Sequence, residues 1–419
     1  MHISIVAYGT WGDVRPNIAL GLALKEVGYG VRLIVTEDFA PFVNHIGLEL
    51  HLIPINTFEL MKPVSSKSNP LSAVHAVHRE VGPALLKLGQ ELLALAEDTG
   101  GFLVNEWLLG IAGSIAQVHQ LKLLNLVTQP QIRTRQMPIA TMPALPGWVP
   151  FREFYNLLSY DLANYLRWFS YYSQVNSLRK THLNLAPLSP SEFLDLIDST
   201  PSITLISQHV MPRPVDWQDH HYLTGYLFYD DDDWRAPADL QDFIHAGEAP
   251  VYVGFGSLHD PHPQQTTRLI LDALERTGHR AVLYKGWSGL GALGLPDTVY
   301  LLDYAPHSWL FPRMAAVVHH AGAGTSAAAL RAGVPSVPVP HSGDQPFWAR
   351  RLHQRGAATQ PLPRNQLDAT ALAERIAIAT RNSQLRSRAA DLGARISAED
   401  GIGQTVSAIN DLLQKNEKF

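Results

Sequence analysis

The sequence predicts an α/β protein made of two doubly wound, Rossmann-like domains in series, and three observations carry that prediction. Short buried-strand runs alternate with helical stretches from the first residue onward, the rhythm of a parallel sheet with helices on both faces. That rhythm breaks off at the acidic and aromatic stretch YLTGYLFYDDDDWRAPADL, and then restarts. At 419 residues the chain also exceeds the roughly 250–300 residues at which a single core stops growing. The expected division is a first domain over 1–228, a linker over 229–246, a second domain over 247–400, and a helix within 401–419 that packs across both.

In order along the first half, HISIVAY (2–8) reads as a buried strand, GTWGD as a turn, and about Arg15 to Val27 as a helix stopped by Gly28. VRLIVT (31–36), FLVNE (101–105) and LKLLNLVT (121–128) are further strands, the last two separated by a small-residue helix. A long helix over about 71–96 interrupts the alternation, as does an aromatic segment over 151–175. In that segment Phe151, Phe154, Tyr155, Leu158, Leu162, Tyr165, Leu166 and Phe169 recur at helical spacing, which predicts a core-facing helix. Its aromatic excess also suits a pocket for a large apolar ligand, or docking on lipid. SITLIS (202–207) closes the first domain. The second contains VYVGFG (251–256), a helix from about Pro263 to Arg276, RAVLYK (280–285), VYLL (299–302), AVVHH (316–320) and VPSVPV (334–339). An amphipathic helix over about 405–414 ends the chain.

Composition narrows the function classes. With 46% hydrophobic and 17% charged residues the chain can bury large cores. A formal charge of -5 gives no reason to expect nucleic acid as a partner. The absence of cysteine excludes disulfides, thiolate zinc sites and a catalytic thiol. Neither the features of a signal peptide nor an apolar run of roughly 18 residues is present, so a soluble, cytoplasmic protein is expected, with peripheral membrane contact left open.

Open parallel sheets bind ligands at the carboxyl ends of their strands, and each half offers one small-residue turn there. The first is Gly9-Thr10-Trp11-Gly12-Asp13-Val14-Arg15-Pro16. It is not a dinucleotide fingerprint: G-x-G-x-x-G is missing, Trp11 is too bulky for close pyrophosphate approach, and Pro16 lacks an N–H where a phosphate-binding helix would offer one. A nicotinamide oxidoreductase is therefore disfavoured. Asp13, just before a helix, is either a cap or a general base, and position alone favours the cap. The second turn, His320-Ala321-Gly322-Ala323-Gly324-Thr325-Ser326, lets a diphosphate approach backbone N–H groups at a helix start. There His320 adds a donor and, if protonated, a charge. Asp344 and Gln345, in the loop that follows, form a pair suited to sugar hydroxyls. The alternative is an ordinary tight turn with a buried histidine.

VVHHAGAGTSAAALRAGVPSVPVPHSGDQPFWARRL resembles the donor signature of nucleotide-sugar glycosyltransferases with the two-domain GT-B fold, in which the domains face each other across a cleft. Sterol glucosyltransferases and natural-product glycosyltransferases are the most similar in pattern. VYVGFGSL, DYAPHSWLFPRM, GTWGDVRPNIALGLAL and TQPQIRTRQMP resemble further segments of the same family, so the likeness runs nearly end to end. Ala321 stands where glycine is usual, Thr10 where serine is, and Gln131 where the sterol enzymes often carry tryptophan. The resemblance implies that His320, Gly322, Gly324, Thr325 and Ser257 hold the diphosphate, with Thr10 and Gly12 on the donor as well. It implies that Asp344 and Gln345 bind the sugar, and that Tyr304 and Ala305 lie against the uracil. Asp13 becomes the general base, with Glu106 as the alternative. Gln131, Arg133 and Phe154 fall on the acceptor side.

The activity so implied is metal-independent, inverting transfer of a hexose, glucose from UDP-glucose, to a hydroxyl of a hydrophobic acceptor. No cofactor is expected beyond that co-substrate. A dTDP-deoxysugar (rhamnosyl-type) transferase and a non-catalytic helper of the same fold are the alternatives. Asp230 to Asp233 read as a solvated acid run in the linker, His209, His220 and His221 as loop histidines rather than metal ligands, and GWSGLGALG (286–294) as a flexible loop.

Overall fold

The computed structural model describes residues 1–57, 59–60, 75–256, 258–286, 288–291 and 293–414. It divides into two compact units, Met1–Leu227 together with Asp400–Phe419, and Phe228–Glu399.

The sheet of the first unit is parallel throughout, in the order β3-β2-β1-β4-β5-β6-β7 among the described residues. Its strands are β1 (His2–Val6), β2 (Gly30–Thr36), β3 (Glu49–Ile53), β4 (Gly101–Val104), β5 (Lys122–Val127), β6 (Ser202–Thr204) and β7 (His221–Leu223). Ile3 and Ile5 of the central strand are fully buried, as a strand covered on both faces requires. Strand order reverses between β1 and β4, which opens a crevice at their carboxyl ends.

Two strands lie outside the sequence reading. The edge strand β3, ELHLI, mixes Glu49 and His51 with leucines and is largely unburied, so it lacks a continuous apolar run. The three-residue β7 falls in the stretch that had seemed to break the pattern.

Helix α1 (Trp11–Glu26) follows β1. Within the predicted helix over 71–96, residues 71–74 lie outside the described ones. A π-helical turn, Val77–Val81, leads into α2 (Gly82–Ala94). Helix α3 (Leu109–His119) joins β4 to β5; α4 (Arg152–Thr181) and α5 (Pro190–Ser199) precede β6.

Helix α4 corrects an expectation. Its aromatic stripe was read as core-facing, yet Phe151, Phe154, Leu158, Leu162, Tyr165 and Phe169 are all exposed. The buried face instead carries Asn156, Ser159, Asn164, Arg167 and Ser170 beside Tyr160, Trp168 and Tyr171. Periodicity identified a stripe, but the direction of burial was set by what packs behind the helix.

The second unit has a parallel sheet in the order β10-β9-β8-β11-β12 among the described residues. These are β8 (Val251–Gly254), β9 (Ala281–Tyr284), β10 (Val299–Leu302), β11 (Ala316–His319) and β12 (Ser336–Pro338). Its order reverses between β8 and β11.

Residues 229–246 are not a free connection but part of this unit. Helix α6 (Ala238–His245) buries Leu240 and Ile244 beside Leu310 and Phe311. The Asp230 carboxylate takes both terminal nitrogens of Arg331, whose guanidinium lies 4.0 Å over the Phe228 ring. The acid run is thus held in place at Asp230 rather than freely solvated.

Helix α7 (Pro263–Thr277) follows β8, α8 (Ala323–Arg331) follows β11, and α9 (Gln345–Gln354) follows β12. Helices α10 (Ala369–Arg381) and α11 (Ser383–Ser397) complete the unit. The final helix, α12 (Gly401–Gln414), belongs to the first unit and packs on α1. Thr405 Oγ1 donates to Thr224 Oγ1 at 2.7 Å, and the Tyr29 hydroxyl donates to Asn410 Oδ1 at 2.6 Å.

Candidate active site

Because every strand of the second sheet is parallel, the predicted donor segments share its carboxyl edge. Gly256 follows β8, Tyr304 and Ala305 follow β10, His320 follows β11, and Asp344 follows β12. Ser257 lies outside the described residues.

Helix α8 begins with Gly322 at its N-cap and no side chain capping it. The N–H groups of its first turn precede the first intrahelical bond, which runs from Ser326 N to Gly322 O at 2.9 Å. No acidic residue stands in that turn, and Gly324 is exposed. Uncapped N–H groups and the positive end of the helix dipole are features that favour an anion.

The His320 ring leans across the turn. A Cβ on Gly322 would sit 2.3 Å from His320 Nε2, and one on Gly256 would sit 2.7 Å from His320 Cε1. Glycine at both positions is therefore what lets imidazole, helix start and the end of β8 close on one another. Ala321, between them, adopts a left-handed backbone with φ 62 and is fully buried. The conformation that glycine adopts freely is here imposed on an alanine.

Burial keeps His320 from the charge it would carry if protonated. Its pKa is held well below the usual value by desolvation, with His319 and His341 adding repulsion. His319, fully buried, is pushed down to about 3 by desolvation. Its Nδ1 accepts from Ala321 N at 3.2 Å, which places its proton on Nε2. The turn thus offers neutral donors, and the stabilisation of an anion falls to the helix start.

In the loop after β12, Gln345 Oε1 accepts from the backbone N–H groups of His341 (2.8 Å) and Ser342 (3.2 Å). With its oxygen so occupied, Gln345 presents an NH₂ donor for a hydroxyl. Asp344 Oδ2 accepts from Trp348 Nε1 at 2.7 Å, so a fully buried indole orients the carboxylate. The Tyr304 hydroxyl donates to Asp231 Oδ2 at 3.3 Å, and Ala305 is buried in the core beneath it.

In the first unit, Thr10 and Asp13 form a reciprocal capping box at the start of α1. Asp13 Oδ2 accepts from Thr10 N (2.8 Å) and Thr10 Oγ1 (3.2 Å), and Thr10 Oγ1 accepts from Gly12 N (3.3 Å). A cap and a base had looked mutually exclusive. A carboxylate has about four acceptor positions, so the two Thr10 bonds on Oδ2 do not by themselves rule out the second role.

Asn105 Nδ2 donates to Tyr8 O at 2.8 Å and ties the loop after β4 to the end of β1. The next residue, Glu106, is buried beside Tyr171. Gln131 Oε1 accepts from Arg167 Nη2 at 2.9 Å, while Arg167 Nη1 donates to Asn164 Oδ1 and the guanidinium lies 5.3 Å over the Trp107 ring. Arg133 is drawn to Asp161 at 3.0 Å, and Phe154 is exposed on α4.

Sequence reasoning missed His319, His341, Asn105 and Arg167. Asn105, the first polar residue at the end of an apolar strand, carried a usable signal; Arg167, inside an aromatic helix, carried none. Among the described residues no three His, Asp or Glu side chains converge where a metal ion would be held. No helix there is long and apolar enough to cross a membrane.

Residues 3–135 match the family model Glycosyltransferase family 28 N-terminal domain, and residues 268–409 match Erythromycin biosynthesis protein CIII-like, C-terminal domain. The chain is 33% identical to O-mycaminosyltylonolide 6-deoxyallosyltransferase of Streptomyces fradiae, over 96% of this chain and 95% of that protein. It is 32% identical to Sterol 3-beta-glucosyltransferase UGT80A2 of Arabidopsis thaliana, over 97% of this chain but only 65% of that longer protein. It spans 27% of the Sterol 3-beta-glucosyltransferase of Neurospora crassa, at 31% identity.

Among solved structures, the glycotransferase of kitacinnamycin superposes with a TM-score of 0.71 at 19% identity, over 98% of both chains. The Streptomyces sp. SF2575 glycosyltransferase SsfS6 complexed with thymidine diphosphate gives 0.65 at 18% identity, over 98% of this chain and 99% of that one. Likeness at this identity shows the shared GT-B fold. With one model matching each half and a relative aligned nearly end to end, the chain belongs to the glycosyltransferase family that includes these sterol and macrolide enzymes.

Proposed function

We propose that this protein transfers a hexose, glucose from UDP-glucose, to a hydroxyl of a hydrophobic acceptor of sterol, macrolide or lipid-like type, with inversion and without a metal or other cofactor. The observation that carries the reading is the uncapped start of α8 closed upon by the neutral His320 ring. In the proposed step the acceptor O–H gives its proton to Asp13, its oxygen bonds to the anomeric carbon, and the bond from that carbon to the diphosphate breaks. Asp13 contributes roughly 10²–10⁴ in rate as general base. Backbone N–H groups of Ala323, Gly324 and Thr325 take up the charge of the leaving diphosphate.

Asp344, fixed by Trp348, and the Gln345 amide pair with sugar hydroxyls, which favours a fully hydroxylated hexose. Tyr304 and Ala305 lie against the base. Thr10 and Gly12 support the donor beside Asp13, and Gln131, Arg133 and Phe154 stand on the acceptor side, with Glu106 the alternative base. The partners are a nucleotide sugar and an apolar small molecule, in the cytoplasm, with peripheral lipid contact and no nucleic acid.

A second reading, a dTDP-deoxysugar donor, is favoured by the likeness to the Streptomyces fradiae 6-deoxyallosyltransferase and to the SsfS6 fold that holds thymidine diphosphate. Incubating the protein with UDP-glucose and with dTDP-sugars, with a sterol or a macrolide aglycone, separates the two. Release of UDP and a glucosylated product supports the first, and turnover of dTDP-sugars alone replaces it with the second. If neither donor binds, a non-catalytic helper of the same fold becomes the reading.

A further inference from the structure

We propose that the outward face of α4, with the Trp148–Phe151 corner ahead of it, docks on an anionic phospholipid surface. The inference gives a place and a lipid chemistry to the peripheral lipid contact of that reading, and it does not rest on glycosyl transfer.

Phe151, Phe154, Leu158, Leu162, Tyr165 and Phe169 are between 38% and 83% exposed. At one turn per 3.6 residues they fall within an arc of about 80° and run for about 27 Å along the helix. The opposite face packs inward, with Tyr160, Trp168, Tyr171, Val175 and Leu178 buried beside Asn156, Asn164 and Arg167. The helix thus carries an apolar stripe besides the face it buries, and an exposed apolar stripe of this length marks an interaction surface.

Charge identifies the occupant. An open groove of about 530 Å³ at the start of the helix is lined by Phe151 and Phe154 together with Arg135, Arg152 and Glu153; Asp216, near Arg135, is itself held by Thr134 and the Arg135 N–H. Trp148 beside it is 83% exposed. Aromatic rings seated at the acyl boundary and guanidiniums at phosphate level are the two halves of interfacial binding. A second copy of the chain would bring the same arginines against each other. A small apolar ligand would fill only a fraction of an open stripe this long.

The test is co-sedimentation of the full chain with sucrose-loaded phosphatidylcholine vesicles, with or without about a third phosphatidylglycerol, at about 0.1 M salt. Wild type is expected to pellet with the anionic vesicles and at least fivefold less with the neutral ones. The double variant Leu162→Gln/Phe169→Gln should reduce partitioning about tenfold on both lipids. Arg135→Gln/Arg152→Gln should abolish the preference for anionic vesicles while leaving residual binding. Circular dichroism and thermal midpoints within a few degrees of wild type confirm that both variants fold. Wild type remaining in the supernatant with both lipids overturns the proposal, as does equal binding of all three proteins. A wild-type dimer that Leu162→Gln/Phe169→Gln converts to monomer, without vesicle binding by either, would assign the face to a contact between copies and also overturn it.

Discussion

A Cβ on Gly9 would lie 2.3 Å from Asp13 Oδ2. The carboxylate that caps α1 folds back over the one residue that has no side chain to obstruct it, in a backbone conformation, φ 140, that other residues rarely adopt. The turn that orients the proposed base and the turn that starts the helix are thus one structure.

Asp13→Asn and Asp13→Ala separate those roles. Asparagine keeps an oxygen for the Thr10 N–H but cannot take a proton. It should lower kcat by roughly 10²–10⁴ while leaving the thermal midpoint within a few degrees. Alanine should lose the same activity and about 1 kcal/mol of stability as well, read as a lower urea midpoint. Turnover of Asp13→Asn within a few-fold of wild type would refute the base assignment.

Gly9→Ala should displace the Asp13 carboxylate. The expected result is a fall in kcat of at least tenfold with the dissociation constant of the nucleotide little changed. Unchanged kcat would mean the carboxylate does its work from another position.

Ala321→Gly should stabilise the protein by about 1 kcal/mol, because the left-handed backbone costs alanine about 1–2 kcal/mol and glycine offsets only part of this through its freer unfolded chain. Urea unfolding with an unchanged m-value reads this directly. A lower midpoint would contradict the backbone seen at φ 62.

Acid sensitivity should follow from the buried histidines. His319 and His221 are both pushed down to about 3, chiefly by desolvation, from an ordinary 6.5. Above about 6.5 neither state of the chain binds the proton, so they exert no pH dependence. Below it the unfolded chain protonates while the folded one does not, and stability falls until about pH 3. Each contributes up to about 1.4 kcal/mol per pH unit in that window. His319→Asn keeps an acceptor for the Ala321 N–H and should flatten the fall between pH 6.5 and 5. An unchanged slope would remove His319 from the account.

Trp348→Phe removes the donor that holds Asp344. A charge-assisted bond of about 1.5 kcal/mol corresponds to roughly a tenfold rise in KM for the nucleotide sugar, with kcat less affected. A change confined to kcat would separate Asp344 from donor binding.

Much of this protein was legible in its sequence because the relevant signals are local. Runs such as HISIVAY and AVVHH form buried strands because apolar and β-branched residues dominate them, and glycine clusters mark the turns at their ends because only small residues fit there. Thr10 and Asp13, three residues apart, contain their own capping box. Asp344 and Trp348 lie one helical turn apart.

What only the tertiary structure decided depends on neighbours distant in the chain. The stripe on α4 was visible, but its outward direction follows from Trp168, Tyr171, Val175 and Leu178 entering the core on the inner face, where Arg167 also bonds Gln131 and Asn164. The acid run at Asp230 was visible, but its attachment to the second unit required Arg331, 101 residues away. His320 was visible as a donor, but its neutrality came from a burial that no local pattern records. Periodicity and turn chemistry are properties of adjacent residues; burial, and with it charge state and facing, is a property of whatever packs against them.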